Sequence, residues 1–339
     1  MIWLSWRQHR KQLLFAVVGL AVIAALMVPT GRQMHDAYAT TGLADCVGAL
    51  RHTEYVPLDD ATYRQCASLA ERFSARFVKY SPLAILFVFL PLLVGMFFGA
   101  PLVAREVEQG THRLVWTQGV TRLRWTLVKF GLVCAGALAL SAAYAALVTW
   151  WATPIARATE GRLGNVFFDE QGLVPVAYTL FAVALGVFAG TVWRKTLTAM
   201  AITLVGFLAV RGVMAFLVRP RYLPIQTRTF PVAGDSEPNK LAGDWVLTRT
   251  VYNAEGDELA ANAEIHCGQP GPSPAASAAT TPPPGDPCLV TYGSGAYNQQ
   301  TYQPADRFWL FQYIEAGIFI ALAAVLLALA VYQIRRRIS

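Results

Sequence analysis

Few side chains in this 339-residue sequence invite chemistry, and the cysteines are the most constrained of them. Cys46 and Cys66, and Cys267 and Cys288, form two pairs each about 20 residues apart, with Cys134 standing alone in an apolar run. Such pairs form disulfides in an oxidising compartment. Each local bridge would remove roughly 3 kcal/mol of chain entropy from the unfolded state. Crossed pairing between the two pairs stays open, and Cys134 reads as a small packing residue. A metal site is the competing idea, because His266 adjoins Cys267 and His35 and His52 lie in the same polar segments. The cysteines come singly and match no zinc spacing, so no metal is expected. Catalytic signatures are missing too: there is no G-x-x-x-x-G-K-[ST], H-E-x-x-H or G-x-S-x-G. Gly190-Thr191-Val192-Trp193-Arg194-Lys195-Thr196 comes nearest to a phosphate loop but lacks a glycine before its lysine. The chain is therefore not expected to be an enzyme.

Two ionisable residues interrupt apolar runs, and they point to what must position them. Arg211 and Glu315 sit at matched distances from the ends of two such runs, roughly 10 Å deep at 1.5 Å per residue. An unpaired charge in hydrocarbon is costly, so matched depth predicts a buried Arg211–Glu315 pair, against the alternative that each reaches water alone. The composition agrees: 55% of residues are hydrophobic and 14% charged, where soluble domains carry about 25%. Six apolar runs stand out, Leu13–Val28, Pro82–Ala104, Thr126–Trp151, Leu173–Val192, Leu197–Val218 and Phe308–Gln333. Crossing the ~30 Å apolar layer takes about 20 residues, and the backbone must satisfy itself there, so these runs are helices. The expected fold is an all-α polytopic membrane protein with six spans and two sizeable external segments. The net charge of +7 forms no single patch, so nucleic acid is not an expected partner.

Direction follows from the short connections. Arg7, Arg10 and Lys11 precede the first run; Arg105, Arg113, Arg122, Arg124 and Lys129 lie between the second and third; Arg194 and Lys195 separate the fourth and fifth; Arg335, Arg336 and Arg337 end the chain. The basic-rich side is the cytoplasmic one, which puts both termini inside a bacterial plasma membrane. A cleaved leader is the other reading of the N-terminus, but the run ends Val28-Pro29-Thr30-Gly31 without an A-x-A-like site. Outside lie segments 29–81, 152–172 and 219–307. In the first, Cys66, Leu69, Phe73, Phe77 and Tyr80 recur at helical spacing, predicting an amphipathic helix that rests on the outer leaflet or packs within the domain. The last is partly β or irregular: Trp245-Val246-Leu247 and Cys288-Leu289-Val290-Thr291-Tyr292 suit short strands, and the Pro/Ala/Ser stretch between Cys267 and Cys288 suits a loop. Gly95-x-x-x-Gly99 and Gly186-x-x-x-Gly190 permit close helix contact, and Pro91 and Pro101 predict a kinked second span.

The most informative stretch is the connection 105–125. Glu106 and Glu108 open it, Gly110 allows a turn, and Thr111 and Thr121 suit helix caps. This segment resembles the region between spans two and three of ABC-2-type permeases, the membrane subunits of ABC exporters (type V exporter-like). The matching elements are Glu106 or Glu108, Gly110-Thr111, Leu114, Thr117-Gln118 and Thr121-Arg122. The opening Trp3-Leu4-Ser5-Trp6-Arg7-Gln8-His9-Arg10 is similar to the interfacial helix, residues 1–12 here, that begins many actinobacterial-type permeases. Tyr302-Gln303-Pro304-Ala305-Asp306-Arg307-Phe308-Trp309, with Phe311-Gln312 and Glu315, is similar to the family's approach to its final span.

The resemblance implies a permease that binds no cofactor directly. ATP and Mg would be held by a partner ABC ATPase subunit docked on the 105–125 segment. A second permease subunit, identical or not, would complete the pathway within membrane lipid. The cargo would be amphipathic or hydrophobic, since few buried polar groups exist to recognise a polar solute. A reading of another class is a non-transporting sensor or scaffold whose disulfide-bonded external segments bind a ligand.

Overall fold

The computed structural model describes residues 2–51, 53–110, 121–159, 161–267, 287–293 and 295–337. Six of its helices are long and apolar enough to cross a membrane: Leu14–Thr40, Pro82–Glu108, Leu123–Ala158, Val174–Trp193, Thr196–Arg221 and Ala305–Arg336. The fold is mostly helical, with a small β-rich region in the C-terminal part.

The first and third helices run past the apolar layer. The first is continuous over Ile2–Thr40, with Pro29 inside it, so the separate opening helix and the short first run expected above are one element. Met27, Met34 and Tyr38 bury one face of its extension, and Gly31 lets Trp150 of the third span approach. Trp151 Nε1 donates to Thr30 Oγ1 at 3.0 Å, and His35 stacks on Trp150. The polar residues among these contacts disguised the extension as a loop.

The second span is broken, as Pro91 and Pro101 predict. Helix Ser81–Phe87 leads through Val88 and Phe89 into Leu90–Val94, which a π-helical turn at Gly95–Gly99 joins to Pro101–Glu108. Its glycines meet those of the fourth span. A Cβ on Gly95 would lie 2.6 Å from the Ala182 backbone, one on Gly99 2.6 Å from Val183 O, and one on Gly186 2.6 Å from Ala100 N. The two glycine pairs thus face each other and bring backbone onto backbone. The fourth span is the most enclosed, with 67% of its apolar window buried against 11% for the first.

The two sizeable segments between spans, 29–81 and 219–307, join into one body among the described residues. Helix Ala61–Phe77 is capped by Asp60, whose Oδ1 accepts from the Thr62 and Tyr63 amides at 2.8 and 3.3 Å. Its buried Tyr63, Cys66, Phe73 and Phe77 pack with Tyr38, Trp151 and Ile155 of the extended first and third spans. The apolar face of the helix therefore packs within the domain core. Cys46 and Cys66 form a disulfide. Cys267 is also disulfide-bonded, and the side chain of Cys288 lies outside the described residues. Strand β1 (Tyr55–Pro57) pairs with β3 (Ser236–Pro238), linking the segments. A four-stranded antiparallel sheet follows in the order β2 (Gln226–Pro231), β6 (Tyr297–Gln303), β4 (Trp245–Tyr252), β5 (Glu258–Ala261). Residues 287–292 form a helix where a strand was expected, because Pro287 suits a first helical turn and the β-branched alternation is too short to prevail.

Candidate functional site

The connection read above as a coupling segment starts where the second span ends. Glu106 forms an ion pair with Lys129 of the third span, and the Lys129 ammonium sits 4.9 Å over the Trp125 ring. The exposed Glu108 reaches the fifth span instead. Its Oε2 accepts from the Thr196 amide at 3.1 Å and the Thr196 hydroxyl at 2.8 Å. Lys195 precedes that helix without offering a side-chain cap, so Glu108 supplies one from another span, and a carboxylate suits the positive end of a helix. Gly110 turns the chain with φ 70°, a conformation that favours glycine. Thr121 Oγ1 accepts from the Arg124 amide at 3.4 Å and caps the third span. Thr111, Leu114, Thr117 and Gln118 lie outside the described residues, as does the Arg122 side chain. Both acids read above as elements of the coupling segment are thus engaged within the chain, Glu106 with the third span and Glu108 with the fifth.

On the opposite face of the spans lies a buried charged cluster. Arg211 does not meet Glu315. Its guanidinium pairs with Asp169 at 2.6 Å and donates to Val88 O at 2.9 Å. Glu315 pairs with Arg219 at 2.7 Å, and Arg219 also bonds Asp169 at 2.5 Å. Asp169 and Arg219 therefore stand between the two residues that matched depth had paired. Tyr178 donates into the same cluster, to Asp169 at 3.0 Å and to Glu315, and Tyr222 donates to Glu315 at 3.2 Å. Asp169 escaped sequence reading because it lies in a connection, on the short helix Asn165–Glu170. Its only signal is the apolar pair Phe167-Phe168 beside it. Arg219 was hidden as the first residue beyond the Leu197–Val218 run, where a charge is ordinary.

The sixth span fixes the approach to the fourth. Gln312 Oε1 accepts from the Leu173 and Val174 amides at 2.9 and 3.0 Å, and its Nε2 donates to Phe168 O at 3.0 Å. Gly172 adopts φ 72°, and a Cβ there would strike Gln312 at 2.7 Å.

Asp169 and Glu315 offset Arg211 and Arg219. Burial alone would raise the Asp169 carboxyl, but Arg219 and Arg211 outweigh it and hold it below the usual carboxylate range. Glu170 is 1% exposed, and neither carboxyl oxygen has a hydrogen-bond partner among the described residues. Burial, then the Asp169 charge, push it up to about 9 against the pull of Arg211. Burial thus favours the neutral form of the Glu170 carboxyl near pH 7.

In the body formed by segments 29–81 and 219–307, His266 lies 2.9 Å from Glu264 and 3.6 Å from Glu237, and these three side chains could together hold an ion. Lys240 and Arg249 already serve the same carboxylates, at 3.2 Å to Glu237 and 3.2 Å to Glu264. The arrangement is that of a salt-bridge network.

A family model described as ABC-2 membrane transporter related matches residues 17–219, more than half of the chain. No curated protein and no solved structure matches it.

Proposed function

We propose, since this chain belongs to the ABC-2 membrane transporter related family, that it is the permease subunit of an ATP-driven exporter. A separate ABC ATPase holds ATP and Mg and docks on the 105–125 connection, which faces the cytoplasm with both chain ends. A second permease subunit completes the pathway in the plasma membrane, and the cargo is amphipathic or hydrophobic.

The observation that supports the reading is the pair of ties at the inner end of the second span. A push on residues 109–121 reaches the third span through Glu106–Lys129 and the fifth through Glu108–Thr196. Glu106 and Glu108 thereby act as transmitting residues, and the ATPase contacts fall to the intervening Gly110, Thr111, Leu114, Thr117, Gln118, Thr121 and Arg122. Spans two and five then move together, as elements of a two-state machine must.

Affinity purification of the native complex tests this. An ATPase should accompany the chain, be lost on Leu114→Asp, and be kept in Glu106→Gln and Glu108→Gln, whose ATPase stimulation by cargo falls. Full ATPase binding by Leu114→Asp would overturn the docking assignment. A cysteine at position 114 should resist an impermeant thiol reagent in intact cells; labelling there would overturn the orientation.

A further inference from the structure

An apolar cavity of about 430 Å³ lies between the first, second and third spans. That size is in the range of small-molecule sites. Its wall is built from Gly19 and Ile23 of the first span, Leu93 and Phe97 of the second, and Gly136 and Tyr144 of the third, among others. The polar groups on the wall are already engaged. Ser141 donates to Leu138 O at 3.2 Å, Tyr144 to Phe87 O at 3.1 Å, and Thr179 to Pro175 O at 2.8 Å. An occupant therefore finds hydrocarbon alone, and a polar ligand would lose its hydration for no return.

Three features say what fits. Gly19, Leu93, Phe97 and Ala135 are themselves exposed, so the cavity opens on the apolar flank of the spans. It runs along the third span from Leu132 to Tyr144, about 18 Å at 1.5 Å per residue. That length is close to half of the ~30 Å hydrocarbon layer, the reach of a chain from one leaflet. The glycines keep it open: a Cβ on Gly19 or Gly136 would meet nothing within 4 Å.

We propose that this cavity binds one alkyl chain of an amphiphilic cargo, which enters sideways from the bilayer between the first and second spans. The proposal rests on the permease reading and narrows its cargo to molecules bearing a hydrocarbon tail. The broken second span forms one wall, so a chain lying there touches the element that the Glu106 and Glu108 ties connect to the cytoplasmic face.

The test uses the full chain, purified with its ATPase and placed in phosphatidylcholine vesicles containing a phosphatidylcholine with a photoreactive diazirine in its acyl chain. After irradiation, adducts are mapped by peptide mass spectrometry. Adducts should concentrate on Ile23, Leu93 and Phe97 over the exposed Leu197, Val205 and Phe216 of the fifth span. Gly19→Leu and Gly136→Leu start from Cβ positions with open space around them, would occupy the cavity, and should abolish the wall adducts while sparing those on the fifth span. They should also abolish stimulation of ATP hydrolysis by single-tailed lysophosphatidylcholine. Even labelling of all exposed apolar residues, or wall adducts that persist in the filled variants, would overturn the site. Wall adducts lost with stimulation intact would reduce it to a structural lipid site and overturn the cargo assignment. Failure of the permease reading shows separately, as absence of a co-purifying ATPase in the unsubstituted chain.

Discussion

Adding one methyl group at Gly99 should separate the second and fourth spans. The new Cβ would stand 2.6 Å from Val183 O and 3.0 Å from Val183 Cα, where ordinary contact begins near 3.4 Å. Both obstacles are backbone atoms of a buried helix, so neither can rotate away. The helices must part by the shortfall, about 1 Å, and a gap of 0.5–1 Å forfeits a quarter to a half of each dispersion contact along the seam. Overpacking of this kind costs about 1–3 kcal/mol. Gly186→Ala should behave alike, since its Cβ meets Ala100 N and Gly95 O at 2.6 Å. The double variant should cost less than the sum of the two, because one displacement relieves both clashes. Thermal unfolding of the detergent-purified protein, followed by size-exclusion recovery, measures this. At roughly 2–4 °C per kcal/mol for a chain of this order of size, each single variant should lower the midpoint by several degrees. Gly136→Ala is the control: its Cβ meets nothing within 4 Å, and alanine favours a helix by about 0.5–1 kcal/mol. Equal midpoints for Gly99→Ala and Gly136→Ala would refute the backbone-contact argument.

Three other predictions follow from the same coordinates. Arg219→Met should leave Asp169 and Glu315 without their shared cation in a buried site; removing one partner of such a network costs about 3–5 kcal/mol, read as loss of monodisperse protein. Arg219→Lys should not rescue it, since an ammonium cannot replace the forked contact with two carboxylates. Glu170 has a raised folded-state pKa of about 9, so its contribution to stability is full below about pH 4.5 and is lost as pH rises towards 9. The unfolding midpoint of Glu170→Gln should therefore exceed that of the unsubstituted protein increasingly from pH 5 to 9; a difference independent of pH would remove the neutral-acid assignment. Reduction of Cys46–Cys66, or Cys46→Ser, should cost the external body roughly 3 kcal/mol for its 20-residue separation, seen as earlier proteolysis of residues 43–77 with the spans still helical.

The spans were legible because hydrocarbon admits only helices, and a run of apolar residues records that constraint directly. Their lengths were less so. The first helix continues to Thr40 through residues such as Arg32, His35 and Asp36, whose polarity serves the external body once the chain has left the apolar layer. The signal was the repeat Met27, Gly31, Met34, Tyr38, which keeps helical spacing past Pro29. The charged cluster was half legible. Arg211 and Glu315 declare themselves by lying in apolar runs, but their partners come from a connection and a span end, where charge is unremarked. Depth matching finds residues at one level of a bilayer and is silent on which helices are neighbours. In the same way Glu106 and Glu108 were visible as acids, while their attachment to Lys129 and Thr196 depends on the packing of the second, third and fifth spans.

These attachments divide the molecule mechanically. At one face, Glu106 and Glu108 join the second span to the third and fifth; at the other, Asp169, Arg211, Arg219 and Glu315 join the approach to the fourth span to the fifth and sixth. The glycine seam adds the second span to the fourth without any polar contact. The second, fourth, fifth and sixth spans are thus fastened by backbone contact or buried charge, where small displacements are resisted steeply. The first span has no buried ion pair among the described residues, and its polar ties run to the third span alone, through Trp151–Thr30 and His35 with the Trp150 carbonyl. It is the least enclosed span, and its buried contacts gather beyond the apolar layer, with the third span and helix Ala61–Phe77. Within the layer it borders the second span across the apolar cavity, where contacts are non-directional. If residues 105–110 receive the push of a partner ATPase, as proposed above, these joints would carry it to the third, fourth, fifth and sixth spans, and the gap between the first and second spans, bordered by the apolar cavity, is where the packing would yield.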